Sequence, residues 1–166
     1  MEKADILIHG CIILPMNGKG FIEDGAIAIK NRKIIFAGKF ASATSIKADL
    51  KINAKGKVAM PGLVNCHTHV PMTLFRGIAE DQPLDTWLKE TIWPLEAKLR
   101  QEDVYVGALL GCLEMIKSGT TCFADMYFHE DMIAKATEKS GLRAFWHKAY
   151  LKPETRCEAK KCLLKA

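Results

Sequence analysis

The sequence lacks the features that mark membrane, secreted and nucleic-acid-binding proteins. It has no run of about 18 apolar residues, so we expect no membrane-spanning helix, and residues 1–5 contain no apolar signal-peptide core. The basic residues behind the net charge of +5 form no long block and have no aromatic residues interleaved. This pattern favours a solvated surface, without a nucleic-acid or membrane partner. Internal repeats and low-complexity segments are also absent from the sequence.

The cysteines carry no metal-binding or disulfide pattern. Six cysteines are present, none with Cys-x-x-Cys spacing, and four of them lie inside apolar stretches. Cysteine in such a context acts as a small hydrophobic side chain. We therefore expect reduced thiols and a cytoplasmic location.

The first 58 residues predict β structure. Two β-rich runs precede residue 15, and the dipeptide Asn31-Arg32 separates two further runs, over residues 26–29 and 33–38. The dipeptide between these runs indicates a β-hairpin.

Beyond Pro61-Gly62 the pattern changes to strands that alternate with helices. A short apolar strand is predicted over residues 63–66, and a helix runs from Leu84 to Leu99 with a kink or restart at Pro94. The later elements are a helix over residues 105–116 ended by Ser118-Gly119, a strand over 120–128, a helix from about Glu130 to Ser140 with Gly141 as its C-cap, and a strand from Leu142. This alternation predicts parallel βαβ units and an α/β fold.

The motif that carries chemistry is PGLVNCHTH, residues 61–69. In an extended chain residues i and i+2 point to the same face, so His67 and His69 should present two imidazoles at the carboxyl end of a strand. Alpha/beta barrels carry their active sites at that end, and two imidazoles are half of a tetrahedral zinc shell. A bare His-x-His is more often a surface feature. The apolar strand before it and the βα pattern after it favour the metal site.

A longer pattern resembles one family of enzymes. Residues 67–81, HTHVPMTLFRGIAED, followed by Trp87-Leu88 and by WPLE at 93–96, are similar to the amidohydrolase superfamily. Within it, they resemble the deaminases of 5-methylthioadenosine and S-adenosylhomocysteine and their chlorohydrolase relatives. Residues 123–129, FADMYFH, resemble the second barrel strand of these enzymes.

The resemblance implies a metal-dependent hydrolase of the TIM-barrel class, an α/β fold. Residues 1–58 would form the N-terminal part of a small β-sandwich. Residues 59–150 would form the start of the barrel, with its first two to three βα units. Residues 151–166 would be a divergent tail. The similarity fails after Ala144, so we expect a truncated or frame-shifted reading of a longer gene, inactive on its own.

The resemblance also implies roles for individual residues. His67 and His69 would hold one zinc ion per complete site, with iron as the alternative metal, and the ion would activate water for attack on the purine carbon that bears the amino group. Glu96 would accept hydrogen bonds from the ribose hydroxyls, and Trp87 would line the same pocket. Without the family, Glu96 reads as a solvated helix carboxylate and Trp87 as core packing. The remaining ligands and the proton shuttle of the family have no counterpart, so no catalytic residue is assigned.

Three functions are open at this point. The first is hydrolytic deamination of adenosine-type nucleosides: methylthioadenosine, S-adenosylhomocysteine, 5'-deoxyadenosine or adenosine. The second is another amidohydrolase activity, that of a chlorohydrolase or a guanine-type deaminase, and the third is a non-catalytic metal-binding fragment. Glu96, as a reader of sugar hydroxyls, favours the nucleoside. A homo-oligomer is left open for the full-length parent.

Overall fold

The computed structural model describes residues 3–79 and 81–148, and the chain divides into two compact units, Met1–Pro61 and Gly62–Ala166. Both are built on β-sheets, and helices cover the sheet of the second. No helix within the described ranges is long and apolar enough to cross a membrane. The tail predicted to diverge, residues 151–166, lies outside the described residues.

The first unit is a five-stranded sheet, which contains the hairpin that the sequence predicted. Its strands are β1 (Ala4–Ile13), β2 (Ile22–Lys30), β3 (Lys33–Lys39), β4 (Ala48–Asn53) and the short β5 (Val58–Ala59), and a 3-10 turn covers Phe40–Ser42. The strand order is β3-β2-β1-β4. Strand β2 runs antiparallel to β1, whereas β4 and β5 both run parallel to β1. Asn31 and Arg32 have φ values of 49° and 63°, as the tight turn between twisted antiparallel strands requires. The hairpin is confirmed, whereas the two runs before residue 15 form one bulged strand.

The second unit is a parallel sheet covered by helices. Its strands are β6 (Leu63–Thr68), β7 (Thr120–Tyr127) and β8 (Arg143–Lys148), in the order β6-β7-β8. Its helical segments are a 3-10 helix (Val70–Phe75), α1 (Leu84–Thr86), a π-helix (Trp87–Ile92), α2 (Trp93–Glu96), α3 (Gln101–Lys117) and α4 (Glu130–Ser140). The predicted parallel βαβ units are confirmed, and Gly141 ends α4 in the left-handed conformation, as expected of a C-cap.

The core of this unit lies between one face of the sheet and the helices. Phe123 of β7 is fully buried against side chains of α3 and α4, among them Ala108 and Ile133. Because β6 and β7 are parallel neighbours in the sheet, their carboxyl ends reach the same edge. His67 and His69, the candidate metal ligands of the sequence, lie at that edge.

The helix predicted over residues 84–99 is interrupted earlier than Pro94. Trp87–Ile92 forms a π-helical stretch, and Pro94 sits in the first turn of α2, where its missing N–H is tolerated. The restart at Pro94 is therefore confirmed, but the sequence did not indicate the π-helix before it. Such stretches often occur at functional sites, because they rotate side chains out of the regular helical order.

Candidate active site

The two histidines of the motif lie side by side at the carboxyl end of β6. Their ring centroids are 5.3 Å apart, with the ring planes at 73°. β6 ends at Thr68, so the strand alternation on which the prediction depended covers His67 but not His69. A register shift in the pairing with β7 falls between Asn65 and Thr68, and the chain then turns into the 3-10 helix.

One ring nitrogen of His69 is already engaged. The Nδ1 atom lies 2.6 Å from the carbonyl oxygen of Met126, at the end of β7. A carbonyl can only accept, so Nδ1 carries the proton and donates it, which leaves the lone pair on Nε2. Metal-binding histidines commonly use one nitrogen in this way, because the second hydrogen bond fixes the tautomer and the ring orientation.

Asp125, next to Met126, is a buried carboxylate at the same place. It is 2% exposed, and its Oδ1 accepts the backbone N–H of Val70 at 2.9 Å. Its Oδ2 has no hydrogen-bond partner among the described residues. Burial raises the pKa of the Asp125 carboxyl to about 6, although the Val70 N–H and the nearby His69 imidazole act in the opposite direction.

A largely apolar cavity of about 350 Å³ opens beside His69. Both residues assigned to the substrate by resemblance, Glu96 and Trp87, line this cavity, and so does His69. The π-helix contributes Trp87, and Glu96 lies at the end of α2. Apolar walls with a few polar groups are typical of small-molecule sites.

Tyr127 is a polar residue of the cavity that the sequence did not single out. Its ring stacks on Phe128 at 4.1 Å and lies 6.2 Å from the ring of His69. The hydroxyl is buried and has no hydrogen-bond partner within the described part of the chain. Burial, and after it the neighbouring Glu96 carboxylate, raise the pKa of this phenol. In the sequence, only its position near the end of the strand predicted over residues 120–128 could have indicated that Tyr127 lies at the site.

Two further histidines, His129 and His9, lie outside this arrangement. His129 precedes α4 in the left-handed conformation, at φ 54°, in keeping with the predicted helix start. His9, in the first unit, stacks on Phe40 at 4.9 Å. Among the side chains that the structure describes, in residues 3–79 and 81–146, no group of three or more His, Cys, Asp or Glu is arranged to hold a metal ion. The candidate centre therefore consists of His67 and His69.

Comparison with known proteins identifies the family. The model of the amidohydrolase family matches residues 58–163. The chain belongs to the amidohydrolase family. This match confirms the resemblance on which the sequence analysis depended. The mixed α/β class of the fold is also confirmed, because a solved amidohydrolase structure superposes on this chain.

Relatives of this amidohydrolase chain are named for nucleoside deamination. It is 55% identical over 142 residues to a 5'-deoxyadenosine deaminase of Methanosarcina acetivorans, which matches 85% of this chain and 32% of the relative. It is 52% identical over 143 residues to a 5-methylthioadenosine/S-adenosylhomocysteine deaminase of Pelotomaculum thermopropionicum. That match covers 85% of this chain and 33% of the relative. The chain thus spans about a third of the length of these relatives.

Two solved amidohydrolase structures are similar to the structure of this chain. A zinc-bound adenosine deaminase from Xanthomonas campestris superposes with a TM-score of 0.82 at 39% identity, over 86% of this chain and 33% of that one. An atrazine chlorohydrolase from Arthrobacter aurescens, complexed with zinc, superposes with a TM-score of 0.76 at 26% identity. The superposition covers 86% of this chain and 35% of the chlorohydrolase.

Proposed function

We propose that this chain supplies the first metal ligands and the nucleoside pocket of a zinc-dependent hydrolytic deaminase of adenosine-type nucleosides. The observation that carries the proposal is the position of His69. Its Nε2 carries the lone pair that a metal would need, its ring lies next to that of His67, and the same ring lines the cavity together with Glu96 and Trp87. A metal ligand and residues suited to a nucleoside therefore meet at one place.

The donor set fits zinc. Two neighbouring imidazoles, one of them held by a carbonyl through its second nitrogen, have the ligand type and the outer hydrogen bond that zinc sites use. We assign the metal to the Nε2 atom of His69 and to the imidazole of His67. Zinc supplies Lewis acidity for hydrolysis when it is bound. The zinc-bound adenosine deaminase and chlorohydrolase among the similar structures support this metal over iron.

The cavity fits a nucleoside. Trp87 offers a flat apolar surface for a purine or a thioether substituent, and the half-buried Glu96 carboxylate can accept from two vicinal sugar hydroxyls. The partner of this site is a small molecule. The names of the relatives support 5'-deoxyadenosine, methylthioadenosine and S-adenosylhomocysteine as its substrates.

We further propose the architecture that the family implies. The β-rich residues 1–58 belong to a small β-sandwich, and residues 59–150 form the first βα units of a TIM barrel. The parallel order β6-β7-β8 and the helices that cover one face support the barrel assignment. The carboxyl ends of these strands would then face the active site, as in other barrels.

A chimeric enzyme tests the proposed function. The matched segment of the Methanosarcina acetivorans deaminase is replaced by the corresponding part of this chain, and ammonia release is measured with zinc and each of the three nucleosides. We expect deamination by the chimera, its loss in His67→Ala, and its retention in the control His9→Ala, since His9 lies in the first unit.

Two outcomes would contradict the proposal. A folded, zinc-containing chimera that releases ammonia from none of the nucleosides would exclude the assigned activity. Faster hydrolysis of a chlorinated triazine than of any nucleoside would favour the chlorohydrolase alternative, which the zinc-bound chlorohydrolase among the similar structures keeps open.

A further inference from the structure

Two consecutive residues at the end of β7 hold two consecutive residues after β6. The carbonyl of Met126 accepts the Nδ1–H of His69 at 2.6 Å, and the carboxylate of Asp125 accepts the N–H of Val70 at 2.9 Å. The partners are 57 and 55 positions apart in the sequence. We call these two hydrogen bonds the β7 clamp.

The clamp solves a local problem of the chain. The 3-10 helix starts at Val70, and the first N–H groups of a helix have no partner inside the helix. His69, which precedes it, makes no capping bond with its side chain, because its ring is turned to Met126. The Asp125 carboxylate takes the place of the missing cap, and negative charge is favourable at a helix start.

Asp125 is kept there in spite of its cost. A carboxylate that is 2% exposed loses its hydration, and its Oδ2 has no partner among the described residues to compensate for that loss. A fold that needed only filling at this position could use an apolar side chain. An apolar side chain, however, could not accept the hydrogen bond that the Val70 N–H donates to Asp125.

We propose that Asp125 is a positioning residue of the metal site, which fixes the His69–Val70 peptide so that Met126 can hold the His69 ring in the metal-binding tautomer. This inference rests on the proposed function, because it takes His69 as a zinc ligand. Asp125 acts through His69 and does not touch the metal. Its loss frees the Val70 N–H, lets the His69 backbone move, and lengthens the Nδ1–carbonyl bond.

The test compares three variants of the full chain. Asp125→Ala removes the acceptor, Asp125→Asn keeps an oxygen in the same place, and Thr137→Val removes another buried polar group, whose hydroxyl donates to the carbonyl oxygen of Ile133 in α4. Long-range ¹H–¹⁵N NMR of the metal-free chain reports the tautomer of His69. Competition with a chromophoric chelator reports the zinc affinity, and thermal unfolding reports the stability.

We expect Asp125→Ala to shift His69 toward a mixture of tautomers and to weaken zinc binding by about 10- to 100-fold, as changes around metal ligands usually do. Asp125→Asn should keep the native tautomer and most of the affinity. Thr137→Val should lower stability without changing either readout, which separates positioning from general support of the fold.

Each other outcome counts against the proposal. Native tautomer and affinity in Asp125→Ala would overturn it. If the alanine variant does not fold, the asparagine variant decides alone, since loss of the native tautomer there would show that an acceptor at this place is not sufficient. Zinc affinity that survives His69→Ala would instead refute the metal site itself, so failure of the proposed function is distinguished from failure of this inference.

Discussion

The hydroxyl of Thr73 donates a 2.8 Å hydrogen bond to the carbonyl oxygen of Gly107 and so ties the segment after His69 to helix α3. The two backbones approach closely here. A Cβ atom at position 107 would lie 2.7 Å from the carbonyl oxygen of Pro71. Glycine is therefore required in α3 for the 3-10 helix to lie where it does, and that helix begins beside the proposed metal ligand His69.

Replacement of this glycine should loosen the site. We expect Gly107→Ala to destabilise the chain by about 1–3 kcal/mol, because a methyl group would overpack against backbone that cannot rotate away. Urea unfolding measures the change. The control Val106→Ala alters the exposed side of the same helix and should stay within about 0.5 kcal/mol of the native value. Equal stability of Gly107→Ala and the native chain would show that the contact is easily relaxed.

Glu96 should distinguish a nucleoside from its base. In the chimeric deaminase, we expect Glu96→Gln to lower kcat/KM for 5'-deoxyadenosine by a factor that corresponds to about 1–3 kcal/mol of transition-state stabilisation, because hydrogen bonds to a charged acceptor are lost. Zinc content should not change. The matched control is Glu90→Gln, an exposed residue of the π-helix next to it, which should keep native kinetics. An equal loss with adenine as substrate would show that Glu96 does not bind the sugar.

Trp87 should report the ligand optically. A nucleoside in the cavity would contact the Trp87 indole, so we expect tryptophan quenching on titration of the zinc-loaded chain with methylthioadenosine, and weaker quenching in Trp87→Phe. Trp146 lies in the helix-covered core, so Trp146→Phe should retain the signal change. Trp93 lines the same cavity, so quenching that is unaffected in the double variant Trp87→Phe/Trp93→Phe would place the nucleoside elsewhere.

Tyr127 should make the chain sensitive to alkali. Its folded-state pKa is raised above the ordinary value of 10.0, so the unfolded chain releases this proton first as pH rises. The stability that Tyr127 contributes is thus complete below pH 10 and is lost progressively above it. We expect the stability difference between the native chain and Tyr127→Phe to shift in favour of the variant above pH 10. Denaturant unfolding of the metal-free proteins at a series of pH values measures it, and a constant difference would contradict the assignment.

Local patterns were sufficient to predict much of the fold. The hairpin at Asn31-Arg32 and the cap at Gly141 depend on residues that are neighbours in sequence, and both are observed. The π-helix at residues 87–92 was not predicted, because its apolar residues satisfy the spacing of an ordinary α-helix.

The candidate site could be predicted only in part. His67 and His69 are separated by one residue, so their proximity follows from the motif. The surroundings of Asp125 and Tyr127 include residues at least 31 positions away, Val70 and Glu96 respectively, and no local pattern indicates such pairs. Glu96 itself was assigned through the resemblance to a family, since an isolated helix carboxylate gives no signal of a ligand.

The most direct test of the account is a calorimetric titration of the chain with zinc. We predict one zinc ion per chain, bound more weakly than in a closed four-ligand site, and loss of binding in either His67→Ala or His69→Ala. The control His9→Ala, in the first unit, should bind as the native chain does. Zinc binding that is unchanged in both His67→Ala and His69→Ala would contradict the assignment of the metal centre and, with it, the proposed deaminase.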